Sequence, residues 1–233
     1  MKLTKMKLIW MMLISMLFIF CENDKYTNRK SIFNESFKEL KKKDPKVAML
    51  EYMDTVHNLY SNFKYGVAFD GPNHWDFNYG ASERNIFSTF QIDSAVVFDI
   101  IVVDINVEKT RQIDLWKQYN NNKEKTREVF SNSIKLNINS EFVLSNPSKR
   151  FIKNSTAIRW EIDYVTKDLD YEYDRKMIMY QTFRNGNNYT FTLALPLVFY
   201  EGNESYYEEL FSRIQWLKNQ DEVNQYLDKI LSN

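Results

Sequence analysis

One cysteine, two histidines, five glycines and four prolines are all that this 233-residue chain contains of those four residue types. A lone thiol excludes an internal disulfide and any metal site built from several cysteines. His57 and His74 are not spaced i, i+4, and zinc normally draws several ligands from His and Cys. The chain has no Gly-x-Ser-x-Gly, no glycine-rich phosphate loop and no His-Glu-x-x-His. Basic and acidic side chains balance at 31 each. Nucleic-acid binding needs a concentrated basic face, which this balance does not suggest. The leading uncharged segment, Leu8 to Phe20, is 13 residues long. A bilayer-spanning helix needs roughly 20.

What the chain has instead is aromatics: 17 Phe, 15 Tyr and 5 Trp. With Gly and Pro scarce, this composition forms cores and disfavours long disordered stretches. It also has Cys21 in an informative place. Lys2, Lys5 and Lys7 precede the short apolar run, and the polar Cys21-Glu22-Asn23-Asp24-Lys25 follows it. A secretory h-region needs only about 7–15 residues. Leu17-Phe18-Ile19-Phe20-Cys21 resembles a lipobox of Bacteroidetes-type bacterial lipoproteins, with bulky Ile19 and Phe20 where small residues are usual. The resemblance implies a signal peptide over 1–20, lipidation at Cys21, a polar tether over 21–43 and one α+β domain over 44–233. The competing reading is an uncleaved anchor. Two or more acyl chains hold a protein stably on a membrane, so the expected location is the cell envelope, on the outer membrane if the source is Gram-negative. Removing the leader removes three lysines and no acids, leaving 28 basic and 31 acidic groups, a charge of −3.

The pattern along the domain predicts helices and antiparallel strands. Asp44-Pro45 suits a helix start, and Val47, Leu50, Met53, Val56 and Tyr60 follow at helical spacing. Strands are predicted over 63–69, 75–79, 86–92 and 95–105, the last apolar enough for a strand covered on both faces. Ile113 to Lys135 reads as helical, broken at Asn120-Asn121-Asn122. Further strands are predicted over 141–144, 157–166, 171–184 and 189–198. Asn185-Gly186-Asn187 marks a hairpin, because Asn-Gly accepts positive φ readily. Ser205-x-x-Glu208 has the form of a capping box, opening a helix through Tyr207, Leu210, Phe211, Ile214 and Leu217. A last helix is predicted from Asp221.

The order of elements, the turn Phe69-Asp70-Gly71-Pro72-Asn73-His74-Trp75, the Asn-Gly hairpin and the closing helix after Tyr189-Thr190-Phe191-Thr192 resemble PsbP-like proteins over about Leu59 to Leu217. That resemblance implies an antiparallel sheet flanked by helices, an α/β/α sandwich, and a binding or assembly role. It transfers no functional residue.

Candidate sites are few. Asp168, Asp170, Glu172 and Asp174 alternate, but the glycine and the twelfth-position carboxylate of a calcium loop are absent, so a solvated hairpin mouth is the simpler reading. No metal or cofactor is expected. Asp54-Thr55-Val56 and Asp93-Ser94-Ala95 resemble the Asp-(Ser/Thr)-aliphatic acceptor of Bacteroidetes O-glycosylation, making Thr55 and Ser94 candidates. Tyr65, Trp75, Phe77 and Tyr79, where exposed, are candidate partner contacts. The expected function is a lipid-anchored binding or assembly module, not an enzyme, with a protein or small-molecule partner. The alternatives are a cell-envelope hydrolase with paired carboxylates and a structural envelope lipoprotein.

Overall fold

The computed structural model describes residues 51–54, 58–62, 64–79, 84–91, 94–105, 113–138, 140–168 and 171–217. The leader, Cys21, the tether, Thr55, His57 and the helix expected from Asp221 lie outside them.

A large antiparallel sheet organises the chain. Its strands are β4 (Asp76–Tyr79), β5 (Asn85–Gln91), β6 (Val96–Asp104), β7 (Phe142–Leu144), β8 (Ser148–Ile152), β9 (Ser155–Asp168), β10 (Tyr171–Arg184) and β11 (Asn187–Pro196). They run in the order β4-β5-β6-β11-β10-β9-β7, with β8 pairing β9 beside β7. A second sheet, β1-β2-β3-β12, is built from Glu51–Asp54, Leu59–Asn62, Val67–Asp70 and Ile214–Trp216. The helices are α1 (Leu115–Asn121), α2 (Lys123–Asn137), the single turn α3 (Leu197–Tyr200) and α4 (Glu204–Ser212).

Alternation along the strands divides the core in two. Phe98, Ile100, Ile178, Tyr180, Tyr189, Phe191 and Leu193 face the small sheet and α4, where Phe69 stacks on Phe98 with centroids 4.7 Å apart. Ile158, Trp160, Ile162, Met177 and Met179 face the helical crossover, where Phe130 stacks on Trp160 at 3.9 Å. The fold is thus α+β, as expected. One face of the large sheet, however, is covered by a second sheet together with a helix.

Several elements differ from the sequence pattern. Glu51–Asp54 and Leu59–Asn62 are antiparallel strands, with Met53 opposite Tyr60, where a helix was expected. The apolar spacing there suits a helix, and the pairing of β1 with β2 and of β2 with β3 overrides it. Residues 64–66 form a turn, with Gly66 at φ 65°, so the strand expected from Phe63 begins only at Val67. The helix from Glu204 ends at Ser212, and Ile214–Trp216 pairs with β3 as a strand. No capping box forms: Asn203 is the N-cap, without a side-chain cap bond, and Glu208 is engaged elsewhere. Strand β8, unremarkable in sequence, pairs with β9. Conversely, the break in the crossover falls at Asn122, and Asp114 caps α1 by accepting from the Lys117 amide at 3.0 Å. The β10–β11 hairpin turns on Asn185 and Gly186, both at positive φ.

Candidate functional site

The sheet register assembles two polar constellations, one on each face. On the face toward α4, Tyr180 lies opposite Arg159, Ile178 opposite Glu161, and Lys176 opposite Asp163. The Arg159 guanidinium donates to Glu161 and, through Nε at 3.1 Å and also Nη2, to Glu208 of α4. Tyr180 Oη donates to Glu208 Oε2 at 2.7 Å. Lys176 Nζ pairs with Asp163 at 2.6 Å and Glu161 at 3.5 Å, and lies over the Tyr200 ring. Both cations are buried, and each has carboxylate partners. Burial alone would lower the Arg159 pKa, but Glu208 and Glu161 hold it above the ordinary range. Burial alone would raise Glu161, but Arg159 and Lys176 keep it below the usual carboxylate range. Tyr200 is pushed up to about 12, by burial first and then by the charge of Glu208. The cluster has its partners in hand, and what it does is fasten α4 to the sheet.

The corner that α3 and α4 make lies outward of this cluster. Gly202, at φ 80°, and Asn203, whose amide donates to Tyr200 O, reverse the chain between the two helices. Within ten residues the corner exposes Val198 (71%), Tyr206 (42%) and Phe199 (38%). Glu201, Glu204 and Glu209 are exposed beside them.

On the opposite face, Ser88, Asp99 and Thr192 stand in one row across β5, β6 and β11, with Thr190 and Gln181 paired two residues along β11. Ser88 Oγ and Asn85 Nδ2 donate to Asp99 Oδ1. Burial pushes the Asp99 carboxyl up to about 6, against the smaller lowering effect of these two neutral donors. The residue as a whole keeps partial solvent access. Ser88, Thr190, Thr192 and Gln181 are buried. Gln181 Oε1 accepts from Trp160 Nε1 at 2.9 Å, while its Nε2 has no hydrogen-bond partner among the described residues.

A groove of about 780 Å³ runs between α2 and β7, lined by Arg127, Lys135, Ile138, Glu141, Phe142 and Leu144 among others. Arg127 already donates to Ser145 O, Leu144 O and Asn146 Oδ1, tying α2 to the loop after β7.

The expected contact residues are dispersed. Trp75 and Phe77 are buried in the core, so neither offers a partner surface. Tyr65 is half-buried, and its carbonyl accepts from Tyr189 Oη at 2.6 Å. Tyr79 ends β4. Ser94 stands in the turn before β6 as expected; it is buried, with Oγ 3.4 Å from Gln91 O. Glu172 and Asp174 are exposed, and no group of three metal-ligating side chains occurs among the described residues. Asp99 and Glu161, carboxylates with pKa values moved apart, sit on opposite faces of one sheet and do not converge. The sequence reading passed over Arg159, Glu161 and Lys176 and took Glu208 for a capping residue, because the four meet only through the sheet register and once α4 lies on the sheet. Asp99 was passed over as well, although a signal existed: it is the one charge inside Val96-Val97-Phe98-Asp99-Ile100-Ile101.

No protein-family model and no curated protein matches the chain. Among solved structures, the chain is similar to cyanobacterial PsbP from Synechocystis sp. PCC 6803, at 16% identity and a TM-score of 0.48, over 69% of this chain and 93% of that one. It is also similar to a protein of Bacteroides thetaiotaomicron VPI-5482, at 11% identity and a TM-score of 0.43, over 66% of this chain. It spans 46% of the Bacteroides chain, less than half its length. Similarity at this level concerns the arrangement of elements alone.

Proposed function

We propose that the chain is a lipid-anchored binding or assembly module of the cell envelope, held at Cys21 and meeting a protein partner at the α3–α4 corner. One observation carries the docking part: Val198, Phe199 and Tyr206 are exposed together, with Glu201, Glu204 and Glu209 at their margin. Large apolar side chains with a polar rim are the anatomy of an interface, and the acidic margin favours a partner with basic residues around an apolar anchor.

The test uses the full-length protein in its native envelope. Cys21→Ser is expected to lose the acyl mass and to leave the membrane fraction. Val198→Asp is expected to keep both, yet lose a cross-linked partner that the wild type captures reproducibly. A Cys21→Ser protein that stays membrane-bound at unchanged mass refutes the anchor. Equal capture by Val198→Asp and the wild type refutes the corner.

A further inference from the structure

We propose that the hairpin joining β8 to β9 rests on an anionic lipid surface, with the Phe151 ring seated among the headgroups and Lys149, Arg150 and Lys153 against their phosphates. The proposal deepens the envelope reading above and rests on it for the setting, while using a different surface from the corner.

Alternation along β8 sends its side chains two ways. Ile152 is buried, and its carbonyl accepts from Trp216 Nε1 at 3.1 Å. Phe151 points to the other side and is 61% exposed. Strand β8 pairs β9 at the margin of the large sheet. Lys149, Arg150 and Lys153 are exposed around the ring, and Lys149 Nζ lies 5.2 Å from its centre. Arg150 Nη1 donates to Lys149 O, and no ion pair to any of the three cations occurs among the described residues. Ile152 is opposite Ser155, so Lys153 and Asn154 make the turn. Lys153 has φ 52°, a conformation that Gly, Asn and Asp adopt more readily than lysine. Lysines on an edge strand also guard against pairing with another chain. That role requires no exposed ring, and Lys153 lies in the turn, off the edge.

The charges divide along the long strands. The β8–β9 and β10–β11 hairpins turn at the same end of the sheet, since Ala157 is opposite Thr182 close to both turns. Arg184 lies over Trp216 at that end, and exposed Lys64 adjoins Tyr65, whose carbonyl accepts from Tyr189. The acids that the strands bring there are Asp104, opposite Asn187, and Glu51, opposite Asn62. At the other end, Glu172 and Asp174 are exposed beside the β9–β10 turn, and Glu201, Glu204 and Glu209 surround the corner. Cations gathered at one end suit an anionic surface. An exposed aromatic ring among them suits a bilayer interface, where apolar area and attraction to anionic lipid act together. Three cations and one ring hold a free protein weakly on a membrane. On a tethered protein the same contact is intramolecular and sets how the domain lies. That agrees with the release expected of Cys21→Ser.

The experiment tethers the full-length protein through an N-terminal tag to chelating lipids, so that the contact is read whether or not Cys21 is acylated. The photo-crosslinker p-benzoylphenylalanine replaces Phe151, in vesicles of phosphatidylcholine with or without phosphatidylglycerol. Lipid adducts are read by intact mass. Phosphatidylglycerol is expected to raise the adduct yield by about tenfold or more, and added salt to reduce it. Lys149→Gln, Arg150→Gln and Lys153→Gln together are expected to abolish that rise with an unchanged circular dichroism spectrum. The crosslinker at Val198 is expected to give no rise, which separates this surface from the corner. The acyl mass at Cys21 tests the anchor by itself, so either reading can fail alone. Equal yields in the two vesicles, an unchanged rise in the triple variant, or capture of added polyglutamate in place of lipid overturns the proposal.

Discussion

Asp99 gives the molecule a pH dependence with a definite sign. Folding raises its carboxyl from 3.8 to about 6, chiefly by burial. Between those values the native state keeps a proton that the unfolded chain has lost. The stability this contributes is full below about pH 4 and is lost as pH rises through about 6, an effect on the order of 2–3 kcal/mol. Asp99→Asn removes it. Urea denaturation across pH 4 to 7.5 should therefore show the wild type gaining on the variant as pH falls from 6 toward 4, and an unchanging difference would refute the assignment. Glu208 illustrates the other polar chemistry. Its carboxylate accepts from Arg159 and from Tyr180. Glu208→Gln leaves Arg159, buried at 7% exposure, with Glu161 as its remaining partner. A cost of about 2 kcal/mol is expected, read as a lower urea midpoint. Neither residue's partners were legible beforehand. A charge inside an apolar strand can be seen in a sequence, but Arg159 and Glu208 are 49 positions apart and meet only when α4 lies on the sheet.

At the scale of elements, glycines separate conformational from steric demands. Gly66 and Gly202 both have positive φ, but a Cβ at Gly66 would lie 2.8 Å from Leu217 O, whereas one at Gly202 meets nothing. Gly202→Ala should cost about 1 kcal/mol, the left-handed penalty alone. Gly66→Ala should cost clearly more, because the Gly66–Leu217 backbone bond at 2.9 Å must also yield. Equal shifts in melting temperature would contradict this. The hairpin at Asn185-Gly186 and the helix break at Asn122 were readable because each is decided by residues within a turn of one another. The strands β1 and β12 were not. Val47, Leu50, Met53, Val56 and Tyr60 carry an apolar spacing that suits a helix, and Ile214 and Leu217 continue the stripe of α4. Pairing of β1 with β2, and of β2 with β3, overrides the first pattern, and pairing of β12 with β3, distant in sequence, overrides the second. Glu208 likewise has the spacing of a capping residue and is instead drawn to Arg159.

At the scale of the whole molecule, one sheet supports two cores. Phe98 belongs to the core beneath the small sheet, Phe130 to the core beneath the crossover. Each ring is buried, so Phe98→Ala and Phe130→Ala should each cost about 3–5 kcal/mol. Because β6, β11, β10 and β9 are hydrogen-bonded into the same sheet, each variant should unfold in one transition, coincident by circular dichroism and tryptophan fluorescence. Two separated transitions would mean that the faces fold independently. The sequence by itself determined the α+β class, most strand positions, the hairpin and the divided crossover, because period, turn chemistry and apolar content act over a few residues. It also supplied the expectation of a lipid at Cys21. Only the tertiary structure decided that Trp75 and Phe77 are core, that the small sheet covers one face, and that Asp99 meets Thr192 while Arg159 meets Glu208. Those outcomes depend on strand register and on which element lies over which face. Both are set by contacts between distant residues, which no local pattern encodes.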